Sequence, residues 1–168
     1  SDSVSGTITY GNAAVPPKNV GTATVTANCA TGADPSVITG APGTYTLTGF
    51  GTFPCTTSVV KTTQFNGISS NDAARIAQHV AGISPLTTNA QKVTADVSNN
   101  GAVSSNDAAK IAQYVAGITP LPPPNLTATW RFFVPNPTFP LGTSPTSYTY
   151  ASGPGTITGQ DFWGVLGG

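Results

Sequence analysis

Residues 96–117 read D-V-S-N-N-G-A-V-S-S-N-D-A-A-K-I-A-Q-Y-V-A-G. In the first twelve, oxygen-bearing side chains fall at positions 1, 3, 5, 9 and 12 (Asp96, Ser98, Asn100, Ser104 and Asp107), and Gly101 stands sixth, where such a chain must turn sharply. A hard cation wants this set: Ca²⁺ takes about six to eight oxygens, so the Ala102 carbonyl at position 7 and a water would complete the shell. Asn, Ser and Gly also make good turns and caps, and a metal-free Asx-rich turn capping a helix is the alternative. Beyond the loop, Ala108, Ile111, Ala112 and Val115 recur at i, i+3, i+4 and i+7, which predicts an amphipathic helix ending at Gly117.

Loop and helix together resemble a type I dockerin repeat, a twelve-residue D-x-N-x-D-G-x-[IVL]-[ST]-x-x-D loop followed by one helix. Asp107 at the last position, where an EF-hand has Glu, and the apolar Val103 at position 8 carry the likeness. The segment is duplicated: residues 69–86 and 104–121 agree at fifteen of eighteen positions, differing only at Arg75/Lys110, His79/Tyr114 and Ser84/Thr119. A period of 35 residues implies two helical units, each too small to bury its apolar stripe alone. We expect an antiparallel pair in which Ala73, Ile76, Ala77 and Val80 face Ala108, Ile111, Ala112 and Val115. The first loop departs from the pattern, because counting back from Asp72 puts Lys61, Thr63 and Phe65 at positions 1, 3 and 5. A second, weaker oxygen set of Gln64, Asn66, Ser69 and Asp72 remains, with a plain turn capped by Ser69 or Ser70 as its alternative.

Six basic and six acidic residues, none of them Glu, give no basic face for nucleic acid. Asp72, Asp96 and Asp107 commit half of the negative charge to the calcium-like segments. No apolar run is long enough to span a bilayer. There is no signal peptide and no Met, which fits a processed mature chain or an excised fragment. Gly, Pro, Ser, Thr and Asn dominate outside the helical segment, as in extracellular β-modules rich in turns. In that setting Cys29 and Cys55 read as one disulfide, with no CxxC or Cys/His cluster competing.

Period-two alternation predicts strands over residues 5–10, 21–27, 36–39, 43–50 and 56–61, then 128–134, 147–150 and 156–166. The order S-G-T-I-T-Y-G, a V-T-rich strand and G-T-Y-T-L-T-G-F resembles carboxypeptidase regulatory-like (prealbumin-like) β-sandwich modules of bacterial surface proteins. The later W-R-F-F-V and D-F-W-G-V-L segments, following a stiff P-L-P-P-P connector, look like a composite bacterial module in which a dockerin-like pair interrupts one sandwich. The resemblance implies a mainly β chain with an α insertion: an antiparallel Ig/prealbumin-like sandwich from residues 1–61 and 122–168, with the helical pair at 62–121. Trp130, Phe132, Phe162 and Trp163 would be core or rim residues.

No catalytic constellation is legible, so the chain is expected to be non-enzymatic. His79, the only His, takes the place of Tyr114 in the other repeat and reads as a packing residue. No acids pair as a glycosidase requires. Trp130, Trp163 and the Tyr residues suggest a glycan platform, although alternating aromatics are usually core. Two readings lead. The preferred one is a calcium-stabilised structural module of a bacterial surface protein or self-assembling fibre, extracellular, glycosylated at the Asn125 sequon, its partners copies of itself or neighbouring modules. In it the N-terminal strand and the F-W-G-V-L segment offer uncharged edges to other copies. The alternative, implied by the dockerin resemblance, is a recruiting module whose Ser70-Asn71 and Ser105-Asn106 meet a cohesin-like partner.

Overall fold

Thr alternating with Val, Tyr or Leu builds most of the strands, and the computed structural model describes residues 1–11, 18–63, 68–122, 130–135, 137–142 and 144–166. The strands are β1 (Ser3–Tyr10), β2 (Thr24–Thr31), β3 (Ser36–Ile38), β4 (Thr44–Thr48), β5 (Thr52–Val60), β6 (Trp130–Phe133), β7 (Tyr148–Tyr150), β8 (Thr156–Ile157) and β9 (Phe162–Leu166). Three helices lie between β5 and β6: α1 (Ser70–Val80), α2 (Asn89–Ala95) and α3 (Ser105–Val115). The chain is therefore mainly β, with two sheets and a helical insertion. It divides into one unit of Ser1–Thr63, Phe132–Asn136 and Ser144–Gly164, and another of Gln64–Arg131, Pro137–Thr143 and Val165–Gly168.

One sheet has the order β4-β1-β9-β6 with β8 also on β1, and the other has β3-β2-β5-β7. Burial follows the two-residue period: Val25 and Ala27 on β2, Tyr45 and Leu47 on β4, and Cys55, Thr57 and Val59 on β5 point inward, while the intervening β4 threonines are exposed. Cys29 and Cys55 face each other in register across β2 and β5 and form a disulfide, their Cα atoms 4.0 Å apart.

The pairing corrects two expectations. The first sheet is mixed, not antiparallel, because β1 runs parallel to both β8 and β9. Parallel neighbours need a crossover connection, and here the whole intervening chain supplies it. Nor is β1 an unpaired edge: β4 lies on one side and β8 and β9 on the other, and β9 itself lies between β1 and β6. The edge premise of strand exchange between copies is not met.

Between β8 and β9 the backbone swings away from the ladder. Gln160 N–H donates to the Ser5 carbonyl at 3.0 Å and Thr7 N–H to Asp161 Oδ1 at 2.8 Å. Gly6 makes room for this, since a Cβ there would stand 2.3 Å from the Gln160 carbonyl oxygen. Three tyrosines hold the same segment. Tyr45 donates to the Gln160 carbonyl, Tyr148 to the Asp161 carbonyl at 2.7 Å and Tyr150 to Gln160 Oε1 at 2.7 Å. The Tyr148 ring also meets Phe162 edge-on, with centroids 5.2 Å apart. Of the four aromatics expected at the core or rim, Phe132 and Phe162 are buried and Trp130 and Trp163 are half-buried.

In the helical unit Ile76, Ala95, Val97, Ile111 and Leu121 form the buried cluster, with Ile68, Ala73, Leu86, Val103, Ala108 and Tyr114 packed on it. The stripe is rotated from the expected one: Ala77, Val80, Ala112 and Val115 are exposed, while Asp107, Ile111 and Tyr114 (i, i+4, i+7) turn inward. Asp107 causes the rotation, because its carboxylate must face the loop that satisfies it. α2 is unforeseen. Its T-x-x-Q start is a capping box, Gln91 N–H donating to Thr88 Oγ1 at 3.1 Å and Thr88 N–H to Gln91 Oε1 at 3.2 Å.

Two outcomes are expected for the sheet unit. Burial, aided by the Tyr148 phenol, pushes Tyr150 up to about 12, and burial raises Tyr45 and Tyr148 as well. A phenol whose pKa is raised on folding contributes stability that is complete below pH ~10 and lost as pH rises through its folded value. Denaturant midpoints should therefore fall between about pH 10 and 12, and Tyr150→Phe should flatten that fall; an unchanged alkaline profile would refute the account. Replacing Cys29 and Cys55 together by Ala opens a loop of 26 residues in sequence separation. Chain entropy predicts a loss of about 3 kcal/mol in urea unfolding.

Candidate metal centre

Asp96 sits at the C-terminal cap of α2 and Asp107 in the first turn of α3, so the loop between them is held at both ends by helices. Asn99 and Gly101 both take positive φ, 55° and 86°, and curl the chain back on itself. Asn tolerates that region better than other side chains do, and Gly enters it without strain.

The curl aims backbone amides at Asp96. Asn100 N–H donates to Asp96 Oδ1 at 3.1 Å and Gly101 N–H to Oδ2 at 2.8 Å. Asp107 Oδ1 accepts from Ser98 N–H at 3.0 Å, and Oδ2 from Ser104 N–H at 2.9 Å. The Ser98 hydroxyl lies between the acids, 3.1 Å from Asp96 Oδ1 and 2.8 Å from Asp107 Oδ1. Both carboxylates are buried, Asp96 at 5% exposure and Asp107 at 0%. Positions 1, 3 and 12 thus meet at one point, and Ser104 Oγ at position 9 comes within 3.3 Å of Asp107 Oδ2. Position 5 does not join them: Asn100 Oδ1 accepts from Ala102 N–H at 3.0 Å and closes an Asx turn.

A hard cation fits the chemistry of these donors, which are all oxygen and include two carboxylates bridged by one hydroxyl. Among the described residues, no group of three or more His, Cys, Asp or Glu side chains gathers for a metal, so hydroxyl, amide or backbone oxygens would have to supply the remainder. Arg131 is close enough to feel Asp96. Burial lowers its guanidinium from the ordinary value, and the Asp96 charge opposes that shift.

The first repeat is different. Ser69 and Asp72 form the same box, with Ser69 N–H 2.8 Å from Asp72 Oδ2, but Asp72 is only partly buried. Gln64 and Asn66, the other candidates there, lie outside the described residues, as does Asn125. Lys61, which takes position 1 of that loop, is committed to the sheet unit, its ammonium donating to the Gly21 carbonyl at 2.7 Å while burial lowers its pKa. His79 is a packing residue, its Nδ1 accepting from Leu86 N–H at 2.9 Å. Exposed Ile83 and Ile118 went unremarked in the sequence, although the 35-residue repeat relates them, and Val80 and Val115, expected to face each other, are exposed as well.

The family model for the type I dockerin domain matches residues 66–116, which contain all three helices and the loop just described. The match covers less than a third of the chain. No curated protein and no solved structure matches it. Dockerin type I domains bind calcium in general. Among the described residues, no helix is long and apolar enough to cross a membrane.

Removing a loop hydroxyl should register without any metal. Ser98→Ala deprives both carboxylates of a shared donor, and a lost hydrogen bond to a charged group costs about 1.5–3 kcal/mol. Thermal unfolding in EDTA should report a loss of that order, and an unchanged midpoint would mean that the hydroxyl is not positioned between the acids.

Proposed function

We propose that residues 66–116 form a calcium-held helical module that recruits a protein partner, carried with a β-sandwich unit in a secreted, non-catalytic bacterial surface protein. The observation that carries this reading is the meeting of Asp96, Ser98 and Asp107 in a loop that matches the dockerin family. Both carboxylates are buried with the Ser98 hydroxyl between them, and a cation there would offset their mutual repulsion. Asp96 and Asp107 would hold the ion, with Ser98, Ser104 and the Ala102 carbonyl as further donors; calcium would supply the charge that fixes the loop against α3. Asn100 would join only by leaving its Asx turn.

Recruitment now stands ahead of the purely structural reading for a specific reason. Ser70, Asn71, Ser105 and Asn106 at the starts of α1 and α3 are exposed, as are Val80 and Val115 at their ends and Ile83 and Ile118 just beyond them. Ile83 is 76% and Ile118 70% exposed, the highest values among the large exposed apolar residues of the described chain. A cohesin-like partner would cover such a surface. The glycan alternative is less supported, because the tyrosine hydroxyls are spent on the Gln160–Asp161 backbone and side chain.

Calcium should raise the melting temperature of the chain. A ligand bound only by the native state adds roughly 2.7 kcal/mol at a hundredfold excess over Kd. Asp107→Asn should abolish that gain, and identical melting in EDTA and in calcium would defeat the assignment. The partner reading is tested by capture on immobilised cohesin domains in calcium. Ile83→Asp with Ile118→Asp should remove capture while leaving melting unchanged, and failure of the unaltered chain to bind any cohesin of a broad panel would return the structural reading to first place.

A further inference from the structure

We infer that residues 137–142 are an intramolecular strap on the Asp96–Asp107 loop, and that Pro140 keeps the Gly101 turn in the shape in which it receives a cation. The inference rests on the calcium reading and adds a part that lies outside residues 66–116, the stretch matched by the dockerin model.

The strap belongs to the helical unit although it comes late in the chain. Pro137–Thr143 clusters with Gln64–Arg131, while the segments on either side, Phe132–Asn136 and Ser144–Gly164, cluster with the sheets. These residues thus group with the helical unit, although the segments before and after them group with the sheets. What they reach is the sharpest point of the loop: a Cβ built on Gly101 would stand 3.2 Å from Pro140 Cβ and 3.4 Å from Cγ, so the pyrrolidine ring lies directly on the turn. Gly101 N–H donates to Asp96 Oδ2 and its neighbour Asn100 N–H to Oδ1. A turn held against the ring keeps both amides aimed at Asp96, which orients that carboxylate toward Ser98 and Asp107.

The strap is itself stiffened. Pro137 is buried and anchors one end. The Thr138 hydroxyl lies 2.9 Å from the Pro140 carbonyl and 3.1 Å from that of Leu141, closing the backbone around the proline. Two prolines and a self-bonded threonine leave little conformational freedom to lose on binding. Groups that orient a metal ligand without touching the metal commonly change affinity by roughly ten- to a hundredfold. A packing contact belongs at the lower end.

The experiment uses the full oxidised chain, with Ca²⁺ titrated by calorimetry and Tb³⁺ by sensitised luminescence. Pro140→Gly should weaken both ions about tenfold. Thr138→Val, which is isosteric and spares the fold, should weaken them by a smaller factor. Gly101→Ala should also weaken binding, by crowding Pro140 and by straining a residue at φ +86°. The double variant with Pro140→Gly should lose less than the product of the two single losses, because the crowding is gone. A purely structural strap would shift melting without this coupling in affinity. Unchanged affinity in Pro140→Gly and Thr138→Val, or strictly multiplicative losses in the double variant, overturns the strap while leaving calcium in place. If the unaltered chain binds neither ion, the calcium reading fails instead. The strap is then judged in the apo protein, where hydrogen exchange of the Asn100 and Gly101 amides should be faster in Pro140→Gly; equal exchange rejects it.

Discussion

Asp107 is completely buried and ionisable, and the arrangement of the helical unit follows from that one constraint. A carboxylate without solvent must find donors, and the nearest are the amides and hydroxyls of Ser98 and Ser104. Meeting them fixes the rotation of α3, which turns Ile111 and Tyr114 inward and leaves Ala112 and Val115 outside. The exposed face of α3 is thus a by-product of how the charge is satisfied. The same logic operates in α1 through Asp72 and Ser69, at lower burial and with His79 in the place of Tyr114.

The sheet unit solves a different problem. Its first and last strands lie side by side and parallel, so the chain must close a long circuit before β1 gains its second neighbour. The break between β8 and β9 marks where the ladder cannot continue, and the tyrosine hydroxyls of β4 and β7 convert that irregularity into a bonded feature. Gly6 is the one position on β1 where the bulged backbone needs the room. The exposed apolar Val60 and Ile38 lie outside this arrangement, and nothing in the structure explains them.

Much of this was legible in the residues, and the failures have physical causes. Alternation marked nearly every strand, because a half-buried strand writes its two faces into the sequence with period two. The partners of a strand leave no such trace, which is why the parallel β1 pairings were missed. Positions 1, 3, 9 and 12 of the loop are drawn together by hydrogen bonds, yet spacing alone cannot tell a side chain that faces the centre from one, like Asn100, that closes a turn on its own backbone. The helical stripe was misplaced by one column because Asp107 was counted as a ligand only, when its i, i+4, i+7 relation to Ile111 and Tyr114 also defines the buried face. α2 was readable from Thr88 and Gln91, whose capping-box spacing stands in the sequence.

The asymmetry between the two loops bears on how such a duplicated unit is held together. Duplication gives both helices the same Ser-x-x-Asp start, but only the second loop keeps an acid at its first position; the first has Lys61, whose ammonium is drawn into the sheet unit by the Gly21 carbonyl. A cation at position 1 and a divalent ion in the same loop would repel each other, so the two roles exclude one another there. Only the second loop thus keeps an acid at both its first and its last position, Asp96 and Asp107. Because Ile76 and Ile111 share a single core, ordering of the second loop still reaches the first helix through packing.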